Sequence, residues 1–528
     1  MSSHATPEPP SGSSSIKPNP ILIRALSLSL SPREYELIHN SLVKRLPPKL
    51  KGRTISPDTV TAIAESRDQY TTEAFRSSLR VFLVTGAIGN IAEILAKLLQ
   101  KNPQTAPKGT IFRLSLSHSL FVLANRLLYR FFSRLRANLR TEDARPFRKR
   151  NPRIAKALTC KYTPAIGASL ACFILGLYPR AQLRITAAIY TTTRALEFVY
   201  NALREKGWFR NKPWWVGSWL LMPLSCAQLF HAFTFDRETI PKWFGDFILR
   251  FSPGYIQDRP EGFPTELRWP DKYETVDALA KISELKWPAF ISPILHPNNP
   301  NTLPTSLQGI SLITSPAHPA VSSLSCALLH PKTPSCLTAF LQQNLLSIPL
   351  LARSVSKVAL ALSLLKLKSF IVHPIASINA LSRKILSWTA VLSAAIGSAW
   401  GSICFFNGVL PRSVLRTQRF YLSGALAGAP FMFFGAAGYR SHFLYFFRLA
   451  IASAWKAGVK RGLWRGWKAG ELWVLAVSWA VIGAVLESHP NAIAGPGFRK
   501  ALAWIRGDGY TDLAELRAKK KGKKPAVE

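Results

Sequence analysis

The sequence predicts an all-α fold: a polytopic helical membrane protein with two related repeats of transmembrane helices joined by a Pro-rich polar connector. Three observations predict it, namely long segments without charged residues, basic residues at the ends of those segments, and an internal duplication. A helix needs about 20 mainly apolar residues to cross a bilayer. A chain of 528 residues therefore has room for several such helices.

The charge balance is strongly basic and indicates a polyanionic neighbour. Lys and Arg number 68 against 28 Asp and Glu, a formal net charge of +40, although charged residues are only 18% of the chain. Nucleic acid and an anionic membrane surface are the two ordinary candidates. The basic runs lie beside apolar stretches, as in membrane proteins, at residues 134–161, 204–212 and 517–524. We therefore expect a lipid bilayer with anionic headgroups as partner, and no nucleic acid.

Residues 1–75 are predicted to be a polar, partly disordered segment. Its first 20 residues are rich in Ser and Pro and contain no apolar run, so no cleaved secretory signal is expected. A first membrane repeat with amphipathic helices is predicted over residues 76–250. Residues 162–179 and 213–235 are its clearest apolar segments, whereas 81–99 and 111–132 are interrupted by charges. The interrupted pair could be surface helices, packed spans or part of a soluble core.

Residues 251–345 are predicted to be an extramembrane, Pro-rich connector with a Cys-rich signature. This region holds many of the acidic residues of the chain. Within it, residues 274–287 have apolar positions at helical spacing, which predicts a short amphipathic helix.

The second membrane repeat is predicted over residues 346–490 and a basic tail over 491–528. Residues 385–411 and 420–439 contain no charged side chain, and 472–486 form a further apolar segment. Residues 347–367 and 443–467 are apolar but carry several basic side chains. The number of spans is therefore left open.

The internal duplication connects the two membrane repeats. AIGASLACFILGLYPRAQLR, from Ala165 to Arg184, matches AIGSAWGSICFFNGVLPRSVLR, from Ala395 to Arg416. Each copy has an Ala-Ile-Gly start, an apolar run, a Pro-Arg turn and a second Arg four residues after the first. A looser match pairs residues 224–227 with 477–480 in a later apolar stretch. This order predicts two related halves.

Small residues and one charge pair are the candidate contact sites within the membrane. Small residues let helix backbones approach in lipid, which predicts packing positions at Gly167, Gly397, Gly424 and Gly428. Arg194 and Glu197 are three residues apart and share a helix face. Inside the membrane such a pair suggests function, whereas at the headgroups it is an ordinary ion pair. The sequence leaves both interpretations open.

The segment CALLHPKTPSC contains three side chains of metal-binding type, Cys326, His330 and Cys336. Structural zinc requires four ligands, and the sequence near this segment offers no fourth, so neither a metal nor any other cofactor is predicted. Six scattered cysteines favour a reducing compartment over a disulfide scaffold. No catalytic motif is present, and we therefore expect a protein that is not an enzyme.

Two stretches carry a resemblance to a known family. Residues 165–248, which include TAAIYTTTRALEFVYNALREKG and FTFDRETIPKWFGDFI, resemble the repeat of the transmembrane protein 135 family. CALLHPKTPSCLTAF, at residues 326–340, resembles the Cys-rich signature of that family, although it lies in the middle of this chain. A more distant similarity is to the Tim17/Tim22/Tim23 translocase family.

The resemblance implies a multi-pass protein of an organelle membrane. Peroxisomes or mitochondria are the expected compartments, and the endoplasmic reticulum is a further alternative. It implies a non-enzymatic role in lipid homeostasis or organelle dynamics, with homo-oligomers or other membrane proteins as conceivable partners. The alternative is a transporter or translocase-like channel that uses the duplicated helices.

Overall fold

The computed structural model describes residues 20–42, 47, 55–65, 69–99, 109–211, 213, 215–264, 266–297, 303–364, 367–434 and 439–522. These residues are helical, contain no strand, and include a single isolated bridge between Ala289 and Ser323. The all-α prediction is therefore confirmed. The first 19 residues and the last six, where part of the polar N-terminal segment and of the basic tail was expected, lie outside the described residues.

The α-helices of the described residues are numbered in the order in which they occur along the chain. The first nine are α1 (Pro20–Ser29), α2 (Pro32–Ser41), α3 (Pro57–Glu65), α4 (Gln69–Leu99), α5 (Thr110–Asn138), α6 (Arg145–Arg150), α7 (Pro152–Thr159), α8 (Thr163–Ser169) and α9 (Ala181–Glu205). The others are α10 (Leu221–Phe235), α11 (Lys242–Arg250), α12 (Lys272–Glu284), α13 (Ser311–Thr314), α14 (Leu324–Leu329), α15 (Cys336–Ser363), α16 (Leu367–Val372), α17 (Pro374–Val409), α18 (Arg419–Gly428), α19 (Arg440–Lys460), α20 (Gly470–Ser488), α21 (Pro496–Arg506) and α22 (Leu513–Gly522).

Short 3₁₀ helices lie between or extend these α-helices. They span Glu142–Ala144, Leu170–Leu177, Ser218–Leu220, Arg237–Thr239, Thr305–Ile310, Ala429–Phe434 and Pro490–Ala492.

The chain divides into two compact units. Unit 1 comprises Met1–Arg210 and Lys468–Glu528. In it α4 packs along α5, α5 packs on α8 and the following 3₁₀ helix, and α20 packs on α9. Small and apolar side chains fill these contacts, among them Phe121, Ala171, Ala188 and Leu475.

Unit 2 comprises Asn211–Trp467 and holds the largest apolar core. Helix α10 packs against α18 and α19, and α15 packs along α17. Residues of the predicted connector contribute strongly to this core, because Tyr255, Leu279, Trp287 and Leu328 are all buried. The expected short helix is present as α12, which begins with a capping box formed by Asp271 and Glu274.

Four of the described helices are long and apolar enough to cross a membrane. Three overlap predicted segments closely, namely Pro374–Val409, Gly470–Ser488 and Cys336–Ser363. The fourth, Tyr70–Leu98, contains nearly all of the interrupted segment 81–99, and like Pro374–Val409 and Cys336–Ser363 it begins 11 residues before the predicted start. Residues 162–179 fall in a broken arrangement, since Pro152–Thr159 and Thr163–Leu177 meet at 84°.

Two uncharged segments do not form continuous long helices as the sequence suggested. In the predicted segment 213–235, only Leu221–Phe235 is α-helical. In 420–439, α18 ends at Gly428, a 3₁₀ helix containing Pro430 follows, and residues 435–438 are not described. Proline lacks the amide hydrogen that an α-helix requires. Hydropathy does not register this, and it therefore overestimated the length of continuous α-helix in both segments.

Candidate metal centre

Four side chains of unit 2 come together in a cluster that could hold a metal ion. Cys326 lies in α14, His330 follows the end of that helix, Cys336 is the first residue of α15, and Cys404 lies in α17. One sulfur or ring nitrogen from each residue lies within 4.8 Å of the others. We call these four residues the Cys₃His cluster.

Local backbone bonds explain why three members of the cluster converge. The amide of His330 donates to the carbonyl oxygen of Cys326 at 2.8 Å as the last bond of α14, and Pro331, which has no amide hydrogen, cannot continue the helix. Ser335 then caps α15, since its hydroxyl accepts from the amide of Thr338. The chain therefore reverses between a helix end and a helix start, and Cys326 and Cys336 approach each other.

The distances within the Cys₃His cluster are short. The sulfurs of Cys326 and Cys336 are 3.9 Å apart, and the sulfur of Cys404 is 3.5 Å from Nε2 of His330. Nδ1 of His330 lies 2.8 Å from the carbonyl oxygen of Thr333. A carbonyl oxygen only accepts, so Nδ1 carries a proton in either protonation state of the ring, and Nε2 faces the thiol of Cys404.

Burial and charge distinguish the members of the cluster. Cys326, His330 and Cys404 are buried, whereas Cys336 is exposed. Burial acts to lower the pKa of the His330 imidazole, but hydrogen bonds with Cys326 and Cys336 outweigh it and raise the pKa to about 10. The His330 imidazole is therefore more readily protonated than a free histidine, because hydrogen bonds with the thiols favour its charged form.

A buried phenol lies beside the cluster. Tyr255 is fully buried, and its hydroxyl has no hydrogen-bond partner among the described residues. Burial raises the pKa of Tyr255, and the nearby sulfurs of Cys404, Cys336 and Cys326 raise it further. The phenol therefore remains protonated, and its hydroxyl is an unpaired donor in the neighbourhood of the sulfurs.

Close packing holds the helix that carries Cys404. A Cβ atom on Gly397 would lie 2.7 Å from the amide nitrogen of Asn344, and one on Gly401 would lie 3.0 Å from the Tyr255 hydroxyl. The indole of Trp400 donates to Ser252 at 2.8 Å. These contacts bring α17 directly against α15 and against the connector, and so fix the position of Cys404.

Buried Arg419 holds the end of the same helix. Its guanidinium donates to Oδ1 of Asn407 at 2.6 Å and to the carbonyl oxygens of Pro411 and Val414 at 2.5 and 3.1 Å. It also lies over the ring of Trp287. A cation at a helix C-terminus satisfies carbonyl groups that the helix leaves free.

An apolar pocket of about 720 Å³ opens next to the Cys₃His cluster. Cys336 and Cys404 form part of its wall. Most of the remaining wall is apolar and includes Phe340, Phe405 and Met432. Exposed Cys336 and buried Cys404 therefore border a space that suits hydrocarbon.

The other predicted site residues lie apart from this cluster. In unit 1, Arg194 and Glu197 form an ion pair of 2.8 Å on α9, and the side chain of Glu197 is only 5% exposed. Gly167 is buried against the ring of Phe132. In unit 2, a Cβ on Gly424 would lie 2.3 Å from the carbonyl oxygen of Cys226, and one on Gly428 would lie 2.3 Å from the nitrogen of Pro223. The last two glycines thus permit direct backbone contact between α18 and α10.

The sequence near Cys326, His330 and Cys336 offers no fourth side chain of metal-binding type, but the fold brings one to them from a distant segment. Cys404 is 68 residues beyond Cys336 in sequence, and only the packing of α17 brings it into the cluster. One signal was present in the sequence, because the two similar segments 165–184 and 395–416 each contain a Cys-Phe pair, which begins at Cys172 and at Cys404. Cys172 is buried in unit 1, with its sulfur 3.9 Å from the carbonyl oxygen of Leu475. Neither Cys404 nor Tyr255 was indicated by spacing alone.

Comparison with known proteins gives no relative. No family model matches the chain, and neither a curated protein nor a solved structure matches it. The assignment of function therefore depends on the chain itself.

Proposed function

We propose that this chain is an integral protein of an organelle membrane, of the transmembrane protein 135 type, and that it acts as a non-enzymatic lipid-handling factor. Unit 2 accommodates a lipid acyl chain in the pocket beside the Cys₃His cluster. The pocket is the observation that carries the proposal. Its volume of about 720 Å³ and its apolar wall suit a flexible hydrocarbon chain.

The location of the pocket supports a lipid as its occupant. Its wall includes residues of Cys336–Ser363 and Pro374–Val409, two of the helices that are long and apolar enough to span a membrane. Along α15, Leu337, Leu341 and Leu345 are each more than half exposed. Such a row of exposed large apolar side chains is stable when hydrocarbon surrounds it. Lipid acyl chains would therefore surround α15 and the opening of the pocket.

The basic charge supports an anionic membrane surface as the second contact. The net charge of +40 is concentrated beside apolar segments, where it lies near headgroups once those segments are in the bilayer. Peroxisomes or mitochondria are the proposed compartment on the basis of the family resemblance.

We also propose that the chain consists of two related halves. The backbone geometry after α10 is repeated after α20, which supports this proposal. Helix α10 ends at Asp236 with φ −134° and ψ 48°, and α20 ends at His489 with φ −134° and ψ 67°. A three-residue 3₁₀ helix follows in each place, then a buried isoleucine, Ile240 or Ile493, and then an amphipathic helix. Such agreement over three consecutive elements is typical of a duplication.

The same comparison suggests that the copies exchange their last segments. Helix α10, from the first half of the sequence, packs in unit 2 on α19, and Asp236 lies 3.4 Å from the ammonium of Lys460. Helix α20, from the second half, packs in unit 1 on α9, and His489 lies 3.5 Å from Glu205. Each unit would then contain the closing segment of the other copy.

Photo-crosslinking tests the acyl-chain proposal. A Cβ on Gly408 would meet no atom within 4 Å, so Gly408→Leu adds a side chain to the pocket wall without a clash. We expect wild-type protein in membranes to react with a photoactivatable fatty acid and Gly408→Leu to lose most of that labelling. Gly497→Leu is the control, because Gly497 also lies in a helix with open space around it, outside the pocket. Equal labelling of all three proteins would contradict the proposal.

Membrane association and compartment need a separate measurement. We expect the tagged protein to resist extraction with alkaline carbonate and to coincide with peroxisomal or mitochondrial markers in microscopy. Release as a soluble protein would overturn the membrane assignment, whatever the outcome of the crosslinking.

A transporter or translocase-like channel is the second candidate, favoured by the buried pair in unit 1. Arg194 donates to Glu197 and to the hydroxyl of Tyr190, so three polar groups meet on one face of α9. Ionisable groups in membrane proteins often mark a permeation path. If so, replacing Arg194 and Glu197 together with alanine abolishes flux in reconstituted vesicles while expression is retained. Unchanged flux would exclude this use of the pair.

A further inference from the structure

We propose that Cys326, His330, Cys336 and Cys404 bind one Zn²⁺ ion, and that the ion fastens the polar connector to α15 and α17. This site goes beyond the proposed lipid function and does not depend on it. Three of the six cysteines of the chain meet here with a histidine, although they come from three separate elements. Buried cysteines are common in cores, but three thiols and an imidazole pointing at one centre form a complete ligand set.

The distances fit a tetrahedral zinc ion. Bonds of about 2.3 Å from zinc to sulfur and about 2.0 Å to nitrogen require separations of roughly 3.8 Å between two sulfurs and roughly 3.5 Å between sulfur and nitrogen. The structure has 3.9 Å between Cys326 and Cys336, and 3.5 Å between Cys404 and Nε2 of His330. These two separations match a bound ion, and the four ligand atoms all lie within 4.8 Å of one another, so a small inward movement of the side chains would complete the site.

A disulfide accounts less well for the same side chains. A disulfide bond is about 2.05 Å long, and all six cysteines of the chain are free. A disulfide would also leave one thiol and the imidazole buried without a role. A divalent ion uses all four groups.

The surroundings orient the ligands as zinc sites require. The bond from Nδ1 of His330 to the carbonyl oxygen of Thr333, 2.8 Å long, fixes the tautomer in which Nε2 is free to bind metal. The second independent observation is Tyr255, a fully buried phenol whose hydroxyl lacks a partner. Its hydroxyl lies near the three sulfurs without bonding to one of them, and we expect metal binding to bring a thiolate, a strong acceptor, within its reach.

The donor set favours zinc and a structural role. Thiolates select soft or borderline ions, and three thiolates with one imidazole in a tetrahedral arrangement are typical of structural zinc. Four protein ligands leave no open position for water. The ion would join the end of α14, the start of α15 and the C-terminal part of α17, and two of its ligands form part of the pocket wall.

Metal analysis of the purified full-length chain tests the site. We expect about one zinc per chain by elemental mass spectrometry, and loss of most of it in Cys404→Ser and in Cys326→Ser. Cys160→Ser is the matched control, since Cys160 is a free cysteine of unit 1 outside the cluster, and it should retain the metal. Wild-type protein without bound zinc, or cluster variants with full zinc content, would overturn the proposal.

Cobalt substitution of the wild-type chain keeps the test independent of whether the variants fold. Cobalt bound by three thiolates in a tetrahedral site gives strong sulfur-to-metal charge-transfer absorption and intense visible bands. We expect both signals, and expect added zinc to remove them. Absence of these bands, or a disulfide between Cys326 and Cys336 in protein prepared without oxidant, would contradict a zinc site. Fatty-acid labelling at the pocket can fail without affecting either metal measurement.

Discussion

At the scale of single residues, the proposed zinc site depends on groups that surround the ligands as well as on the ligands. Tyr255 shows this, because its phenol is fully buried and its hydroxyl has no partner among the described residues. An unsatisfied buried hydroxyl costs about 1–3 kcal/mol. A bond to a metal-held thiolate would remove that cost, and we expect metal binding to bring one within reach of the hydroxyl.

Tyr255→Phe tests this coupling. We expect the variant to fold but to bind zinc about tenfold more weakly, because a thiolate loses a hydrogen-bond donor. Competition with a chromogenic chelator measures the affinity. Tyr445→Phe removes a hydroxyl from an exposed tyrosine and should leave the affinity unchanged. Equal affinities for the wild type and Tyr255→Phe would mean that the phenol does not contact a ligand.

At the scale of helices, two devices hold the described elements together: close backbone approach and buried ion pairs. Gly424 and Gly428 illustrate the first, since any side chain on them meets the backbone of α10. Arg499 and Asp512 illustrate the second. The guanidinium contacts both carboxylate oxygens, at 2.7 and 2.8 Å, and the Asp512 side chain is fully buried.

Gly424→Leu should destabilise the packing of α18 on α10. The added Cβ would lie 2.3 Å from the Cys226 carbonyl oxygen, so the helices must separate, at a cost of about 3 kcal/mol or more. Thermal unfolding in detergent, followed by tryptophan fluorescence, measures the loss. Gly408→Leu is the control for the same change on a helix with open space. Similar melting temperatures for the two variants would contradict direct contact at Gly424.

The pair of Arg499 and Asp512 predicts a pH dependence of unit 1. The hydrogen bond from Arg499 lowers the pKa of Asp512 below its usual 3.8. A carboxylate with a lowered pKa in the folded state stabilises it above the usual pKa, and that stability is lost as the pH falls through the lowered value.

Asp512→Asn should therefore have a lower melting temperature than the wild type at pH 5–7. The difference between the two melting temperatures should shrink below about pH 4. Melting curves across this range measure it. Glu142→Gln, a change at an exposed acid of the same unit, is the control. A difference in melting temperature that stays constant down to pH 3 would show that ionisation of Asp512 contributes nothing to the stability of the folded state.

At the scale of the whole molecule, the order of elements along the chain differs from their arrangement in units. Unit 2 is one continuous stretch, whereas unit 1 needs both ends of the chain. Leu475, Ile482 and Val485 of α20 are buried among residues of unit 1, although more than 250 residues separate them from α9.

This arrangement predicts opposite outcomes for two truncations. A fragment of residues 211–467 contains all of unit 2 and should insert into membranes, resist protease and retain the proposed zinc. A chain ending at Trp467 lacks α20, so its unit 1 should become sensitive to protease while the remainder stays resistant. Limited proteolysis of membrane preparations measures both. Protease resistance of residues 109–210 in the shortened chain would contradict the division.

Much of the helical fold could be predicted because hydropathy is a property of local sequence. The helical class, the apolar helices near residues 385 and 472, and the short helix beginning near residue 274 were predictable, since each follows from periodicity or apolar length within one segment. The breaks after Gly428 and before Leu221 were less visible, because a run of apolar letters does not reveal where proline and local packing interrupt a helix.

The candidate site likewise contains some residues that the sequence identified and others that only the tertiary structure added. Sequence alone determined a basic, helix-rich chain with long apolar segments, and identified Cys326, His330 and Cys336 as a group of metal-binding type. Tertiary structure alone decided that Cys404 completes the group, that Tyr255 lies beside it, and that α20 belongs with the N-terminal helices. The reason is physical: composition and spacing act within a segment, whereas a ligand set and a core form only when distant segments pack.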